Sequence, residues 1–221
     1  MAISGGREKN MTVYDANQAT STEDAEKVVP RAEFRVFGQG ILDIVKPAMW
    51  KSQATLFKVR QSGETYILSR HTNEVNVKIR DGLLDIKTKV GETDNGYEIF
   101  QPRGKFQFPV KKDELATILE NLQAKVELTQ DSYTFDEFID LLKTTNDVVS
   151  VAVHKERYGF TVDGVICEYG KIQFNGAMIE TTCVESEDYG AMEQVIEKLE
   201  ISGFKNINYL KAAKRVVGME L

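Results

Sequence analysis

From Ala32 onward, apolar and polar positions alternate with a period of two over much of the chain, the mark of strands with one buried face. Residues 32–37 predict a first strand, followed by Gly38 and Gly40. Residues 41–49 predict a short helix interrupted by Pro47. Residues 55–60 and 65–70 predict two strands around Ser62-Gly63, and 76–80 and 83–90 a hairpin around Asp81-Gly82. Residues 97–101 and 105–108 predict two further short strands. The period then changes: Leu115, Ile118, Leu119 and Leu122 fall on one helical face over 112–123, as do Phe138, Ile139 and Leu142 over 135–143, with Ser132 or Thr134 as N-cap. Strand pattern returns at 148–157. Asp163-Gly164 and Asn175-Gly176 mark two more hairpins, and the last strand runs to Glu187. Helices at 189–199 and 209–217 close the chain. Two groups of strands around a helical insert predict a mainly antiparallel α+β domain.

Composition sets limits on this picture. A chain of 221 residues with 42% hydrophobic and 28% charged residues suits one domain with a real core. Residues 1–30, rich in Gly, Asn, Thr, Ser and charge, predict a disordered tail ahead of a single domain over 31–221. A net charge of −6 opposes non-specific nucleic-acid binding while permitting a local basic site. No apolar run nears the ~18 residues of a membrane span, and no signal-peptide core precedes the domain, so a cytoplasmic protein with no membrane partner is expected. A homodimer is left open. Cys167 and Cys183 lie in apolar stretches and predict buried thiols rather than a bridge. With two histidines, His71 and His154, a multi-His zinc site is excluded. No P-loop, dinucleotide fingerprint or nucleophile elbow is present.

The candidate chemistry lies in the charged strand faces. Lys78 and Arg80 share one face, opposite Val77 and Ile79; Asp85, Lys87 and Lys89 share another, opposite Leu84 and Ile86. Lys155 and Arg157 share a face, as do Arg103 and Lys105, and Arg70 ends a strand. Each pair taken alone reads as a solvated outer face. On a curved sheet such rows converge, and converged cations call for a polyanion such as a phosphate chain. The acidic counterpart is Glu33 beside Arg35 on the first strand, and Glu185 with Glu187 on the last, side by side at a spacing that Mg²⁺ or Mn²⁺ can bridge.

These motifs, in this order, resemble the CYTH, or triphosphate tunnel metalloenzyme, superfamily. Val184-Glu185-Ser186-Glu187-Asp188, the helix after it and Asn206-Ile207-Asn208-Tyr209 resemble the family's closing segment. Lys78-Ile79-Arg80-Asp81-Gly82 with Asp85-Ile86-Lys87 resembles its basic hairpin, and Lys155-Glu156-Arg157 its later basic strand. The resemblance implies a β-tunnel of about eight antiparallel strands. It implies a metal-dependent phosphohydrolase of a triphosphate or polyphosphate, with Arg35, Arg70, Lys78, Arg80, Lys87, Lys89, Arg103, Lys105, Lys155 and Arg157 on a small-molecule polyanion. Glu33, Glu185 and Glu187 would hold Mg or Mn, and Glu185, Glu187 and Lys155 would be catalytic. One departure stands out. Where the family opens with E-x-E-x-K, this chain has Glu33-Phe34-Arg35-Val36-Phe37. Two alternatives follow: a binding or sensing module for a phosphorylated ligand or nucleotide, and an adenylate cyclase.

Overall fold

The structure, a computed structural model, describes residues 31–219; the tail expected over 1–30 lies outside the described residues. In chain order the elements are β1 (Ala32–Gly38), α1 (Ile41–Lys51), β2 (Thr55–Ser69), β3 (Val75–Arg80), β4 (Leu83–Glu92), β5 (Glu98–Gln107), β6 (Val110–Lys111), α2 (Lys112–Asn121), β7 (Ser132–Tyr133), α3 (Phe135–Leu142), β8 (Val148–Val162), β9 (Val165–Phe174), β10 (Ala177–Ser186), α4 (Tyr189–Lys198) and α5 (Tyr209–Val216). Eight strands in the order β1-β10-β9-β8-β2-β3-β4-β5 close into a barrel, with every pairing antiparallel. The short β6 and β7 pair apart from it. The fold is thus the α+β antiparallel barrel with flanking helices that was expected.

The three expected hairpins form where the turn residues demand them. Asp81 and Gly82 take φ of 52° and 74°, and the 163–164 and 175–176 turns repeat the pattern. Two successive positive φ values match the twist of the flanking strands.

Three expected breaks are absent. β2 is one strand of 15 residues, not two strands around Ser62-Gly63. The equally long β8 pairs with it from Thr55↔Thr161 to Ser69↔Val148, so Ser62 and Gly63 stay extended opposite Lys155 and His154. β5 is likewise one strand through Pro102. The ladder with β4 absorbs the missing N–H by shifting register between Ile86/Lys87 and Lys89/Gly91. α1 continues through Pro47, because Ile41, Leu42, Val45 and Ala48 bury its inner face and offset one lost backbone bond. At the other end, β10 stops at Ser186, one residue before Glu187.

Parity divides the core into three parts. Outside the barrel, Ala32, Phe34 and Val36 of β1 pack with Met192, Val195 and Ile196 of α4 and with Ile41, Val45 and Ala48 of α1. On the opposite wall Val77, Ile79, Leu84 and Ile86 pack on Leu115, Ile118 and Phe138 of α2 and α3. Inside, Tyr66, Leu68, Val151, Val153, Ile172 and Phe174 meet Tyr209, Leu210 and Ala213 of α5. α5 therefore fills one end of the barrel with apolar side chains. β8 passes from that apolar filling (Val151, Val153) to Lys155 and Arg157 on the same face.

Gly170 of β9 is fixed by this packing. It pairs with Arg157, and a Cβ at this position would lie 2.4 Å from the Glu156 carbonyl oxygen. Gly170→Ala is expected to destabilise the protein by about 1–3 kcal/mol through the forced backbone shift. Urea denaturation checks this; an unchanged midpoint would contradict it.

Candidate functional site

The polar half of the barrel interior is a chamber of about 400 Å³. Its walls bring together Glu33, Arg35, Lys78, Lys87, Lys155, Arg157 and Glu185, residues singled out in sequence on five strands. Lys78 and Lys87 come from the β3–β4 hairpin because Val77, Ile79, Leu84 and Ile86 turn outward to α2 and α3. Glu33 and Glu185 are direct register partners, as are Arg35 and Cys183.

Other sequence candidates lie elsewhere. Arg80 turns from the chamber to Glu64 and Asp85, at 3.6 and 3.5 Å. Lys89 pairs with Glu92 and Glu98. Arg70 is exposed, Arg103 is exposed on Thr88, and Lys105 is exposed near Asp85. Glu187 is half exposed and pairs with Arg31 at 3.6 Å, since it follows the strand end that would have turned it inward. Neither His71, on Asp147, nor His154, against Gly63, lines the chamber. Both cysteines are free and buried.

Sequence reading missed the two carboxylates that organise the cations. Glu64, its side chain 0% exposed, lies 2.9 Å from Lys155, 3.4 Å from Lys78 and 3.6 Å from Arg80. Burial works to raise its pKa, but the charges of Lys155 and Lys78 outweigh it and bring the carboxyl down to about 2. Lys155 donates to the Tyr66 hydroxyl at 2.7 Å and lies over the Tyr66 and Tyr209 rings. Burial brings its pKa down to about 7; Glu64 opposes that shift while Lys78 and Arg157 add to it. Glu168 accepts from Arg157 Nη1 at 3.3 Å and from Arg35 Nη1 at 3.4 Å. Near the α5 end, Glu98 accepts from Asn208 Nδ2 at 2.6 Å and Lys211 Nζ at 2.8 Å.

Two groups of the chamber wall lack partners. Arg157 Nε and Asn76 Oδ1 are buried and make no hydrogen bond among the described residues. Lys87 makes no ion pair among them. A buried donor without a partner is costly, and Arg157 Nε is closed off from the chamber space as well as unpaired.

The acid cluster has a different occupant. Glu33 and Glu185 oxygens and the Cys183 sulfur lie within 4.8 Å of one another, a donor set able to surround a cation. The Arg35 guanidinium, 4% exposed, already binds it: Nε is 2.6 Å and Nη2 3.3 Å from the two Glu33 oxygens. Nη2 is also 2.9 Å from Cys183 Sγ and 4.0 Å from Glu185. Burial works to raise the Glu33 pKa, and Arg35 more than reverses it, so Glu33 is ionised. Burial and the Glu33 charge push Glu185 up to about 7. A divalent ion would have to take the Glu33 and Glu185 oxygens from the guanidinium, and the two cations would repel. With Arg35 in place, the residues do not fit the Mg or Mn that the resemblance implies.

A closed barrel of eight antiparallel strands with a charged interior is the fold that the resemblance to the CYTH superfamily implies. No family model matches the chain, and no curated protein matches it. Solved structures similar to it include a conserved hypothetical protein from Pyrococcus furiosus, 13% identical, covering 81% of this chain and 98% of that one, with a TM-score of 0.44. Another is a candidate adenylyl cyclase from Hippeastrum described as having a dominant triphosphatase activity, 12% identical, covering 86% and 96%, TM-score 0.47. A third is a candidate adenylate cyclase from Bacillus halodurans, 12% identical, covering 83% and 98%, TM-score 0.41. At these identities the likeness carries neither an activity nor a ligand to this chain.

Proposed function

We propose that the chamber binds a linear polyphosphate-type anion, free or as part of a nucleotide, and holds it intact. The observation that carries this reading is the convergence of Lys78, Lys87, Lys155 and Arg157 on one chamber. Charge-assisted hydrogen bonds from several strands suit a chain of phosphate oxygens better than a single carboxylate. The resemblance supports the triphosphate class.

Metal-assisted phosphoanhydride cleavage needs an ion that orients water and offsets charge in the displacement. The donor set for such an ion is engaged by Arg35, which favours binding over hydrolysis. Cyclisation of ATP needs a nucleobase seat, and no residue of the chamber singles one out.

Calorimetric titration with tripolyphosphate at low ionic strength tests the binding. Saturable 1:1 binding is expected, weakened about tenfold or more by Arg157→Gln, which removes a charge-assisted donor. No binding heat with tripolyphosphate or ATP, or an affinity unmoved by Arg157→Gln, would overturn the proposal.

A further inference from the structure

Arg35 is an unusual side chain to find buried in the wall of a cation-lined chamber. Its charge adds to that of Lys78, Lys87, Lys155 and Arg157, yet it is almost wholly buried. Every edge of the guanidinium is engaged. Besides Glu33, Cys183 and Glu185, Nη1 lies 3.4 Å from Glu168, 3.4 Å from Thr181 Oγ1 and 3.5 Å from the Tyr209 hydroxyl, and the group sits 4.6 Å from the Tyr209 ring centroid. Its backbone is also fixed, by Asn206 Oδ1 on its N–H and the Ile207 N–H on its carbonyl. Such a guanidinium stays protonated at every working pH and cannot exchange with solvent ions as a bound metal does.

We infer that Arg35 is the resident cation of this chamber: it fills the Glu33–Cys183–Glu185 donor set in place of a divalent ion, and the ligand is therefore the metal-free anion. A covalently held cation permanently offsets the charge of Glu33, which lessens the repulsion between the acid cluster and an entering phosphate chain. A ligand arriving as its Mg²⁺ complex would bring a second cation against Lys78 and Arg157 and lose part of the charge they recognise. The ligand half of this inference rests on the binding reading above; the Arg35 half does not.

The test is a Mn²⁺ titration of the ligand-free protein followed by electron paramagnetic resonance. The wild type is expected to show no saturable Mn²⁺ site. Arg35→Gln frees the donor set and is expected to gain one site, binding at least tenfold tighter than any wild-type signal and lost again in Arg35→Gln with Glu185→Gln. Arg35→Lys, which keeps a charge, is expected to gain none. A saturable wild-type site removed by Glu185→Gln alone, or no gain in a folded Arg35→Gln protein, would overturn the assignment. A second arm needs only the wild type: tripolyphosphate titrated in chelator and in excess Mg²⁺. Equal or weaker binding with Mg²⁺ is expected. Binding that requires Mg²⁺ overturns the inference, whereas no binding under either condition overturns the binding reading and the ligand half with it, leaving the Mn²⁺ result to decide the role of Arg35.

Discussion

Glu64→Ala is expected to lower stability by about 3 kcal/mol and to make what remains strongly dependent on added polyphosphate. The variant leaves Lys155, Lys78 and Arg80 without their shared carboxylate, two of them with side chains 14% exposed or less. Breaking a buried ion pair from one side costs about 3–5 kcal/mol. The lower end is expected because Lys155, already brought down to about 7 mainly by burial, sheds its proton more readily once Glu64 is gone. Lys78 and Lys155 line the chamber, so a bound phosphate would replace the missing carboxylate. Ligand stabilisation grows with occupancy, so saturating tripolyphosphate should raise the melting temperature of the variant more than that of the wild type. Thermal unfolding with and without tripolyphosphate measures both effects. An unchanged melting temperature, or the same ligand shift in both proteins, would show that Glu64 does not hold an anion's place.

The second large effect is on pH dependence. Lys155 is protonated below about 7 and neutral above it, and anion binding favours the protonated form. Glu185 is neutral below about 7 and charged above it, where it repels an anion. Both changes run the same way, so affinity falls as pH rises from 6 to 8.5. Unit charges a few ångströms apart at an effective dielectric of about 20 interact by a few kcal/mol, which makes the expected fall about tenfold or more. Linear polyphosphate gains charge over the same range and opposes the trend. Cyclic trimetaphosphate, whose charge is constant there, isolates the protein's part in a calorimetric series. Rising affinity with pH for that probe would contradict the titration of Lys155. The sign also bears on stability. The folded Glu185 pKa lies above the unfolded one, so its neutral form is retained at low pH and stability is lost as pH rises through about 7. Glu185→Gln should remove that loss.

Much of this site was legible in the sequence because strand parity is rigid. The outward turn of Val77, Ile79, Leu84 and Ile86 follows from alternation alone and places Lys78 and Lys87 inside. One reading failed because a local turn signal lost to long-range pairing. Ser62-Gly63 reads as a turn until the 15 residues of β8 are laid against it, and that false break hid Glu64. The signal was present, since Glu64, Tyr66 and Leu68 keep one parity against Thr65 and Ile67 directly after the Gly. Glu187 failed by a single residue, because β10 ends at Ser186 and leaves it outside with Arg31. The position of Glu168 between Arg35 and Arg157 depends on which strands become neighbours across the barrel, and one strand's pattern does not carry that. Arg35 was legible as a departure from the E-x-E pattern, whereas its grip on Glu33 and Cys183 required the β1–β10 register.

The most direct test of the whole account is the ³¹P magnetic resonance spectrum of tripolyphosphate mixed with the protein in Mg²⁺-free and Mg²⁺- or Mn²⁺-supplemented buffer, since one spectrum reports both binding and chain integrity; paramagnetic broadening in the Mn²⁺ sample is removed by chelation before reading. The account predicts shifted or broadened phosphate resonances without metal, reversed by Arg157→Gln, and no growth of orthophosphate over hours under any condition. Unperturbed resonances, or orthophosphate that grows with metal and disappears in Glu185→Gln, would contradict it.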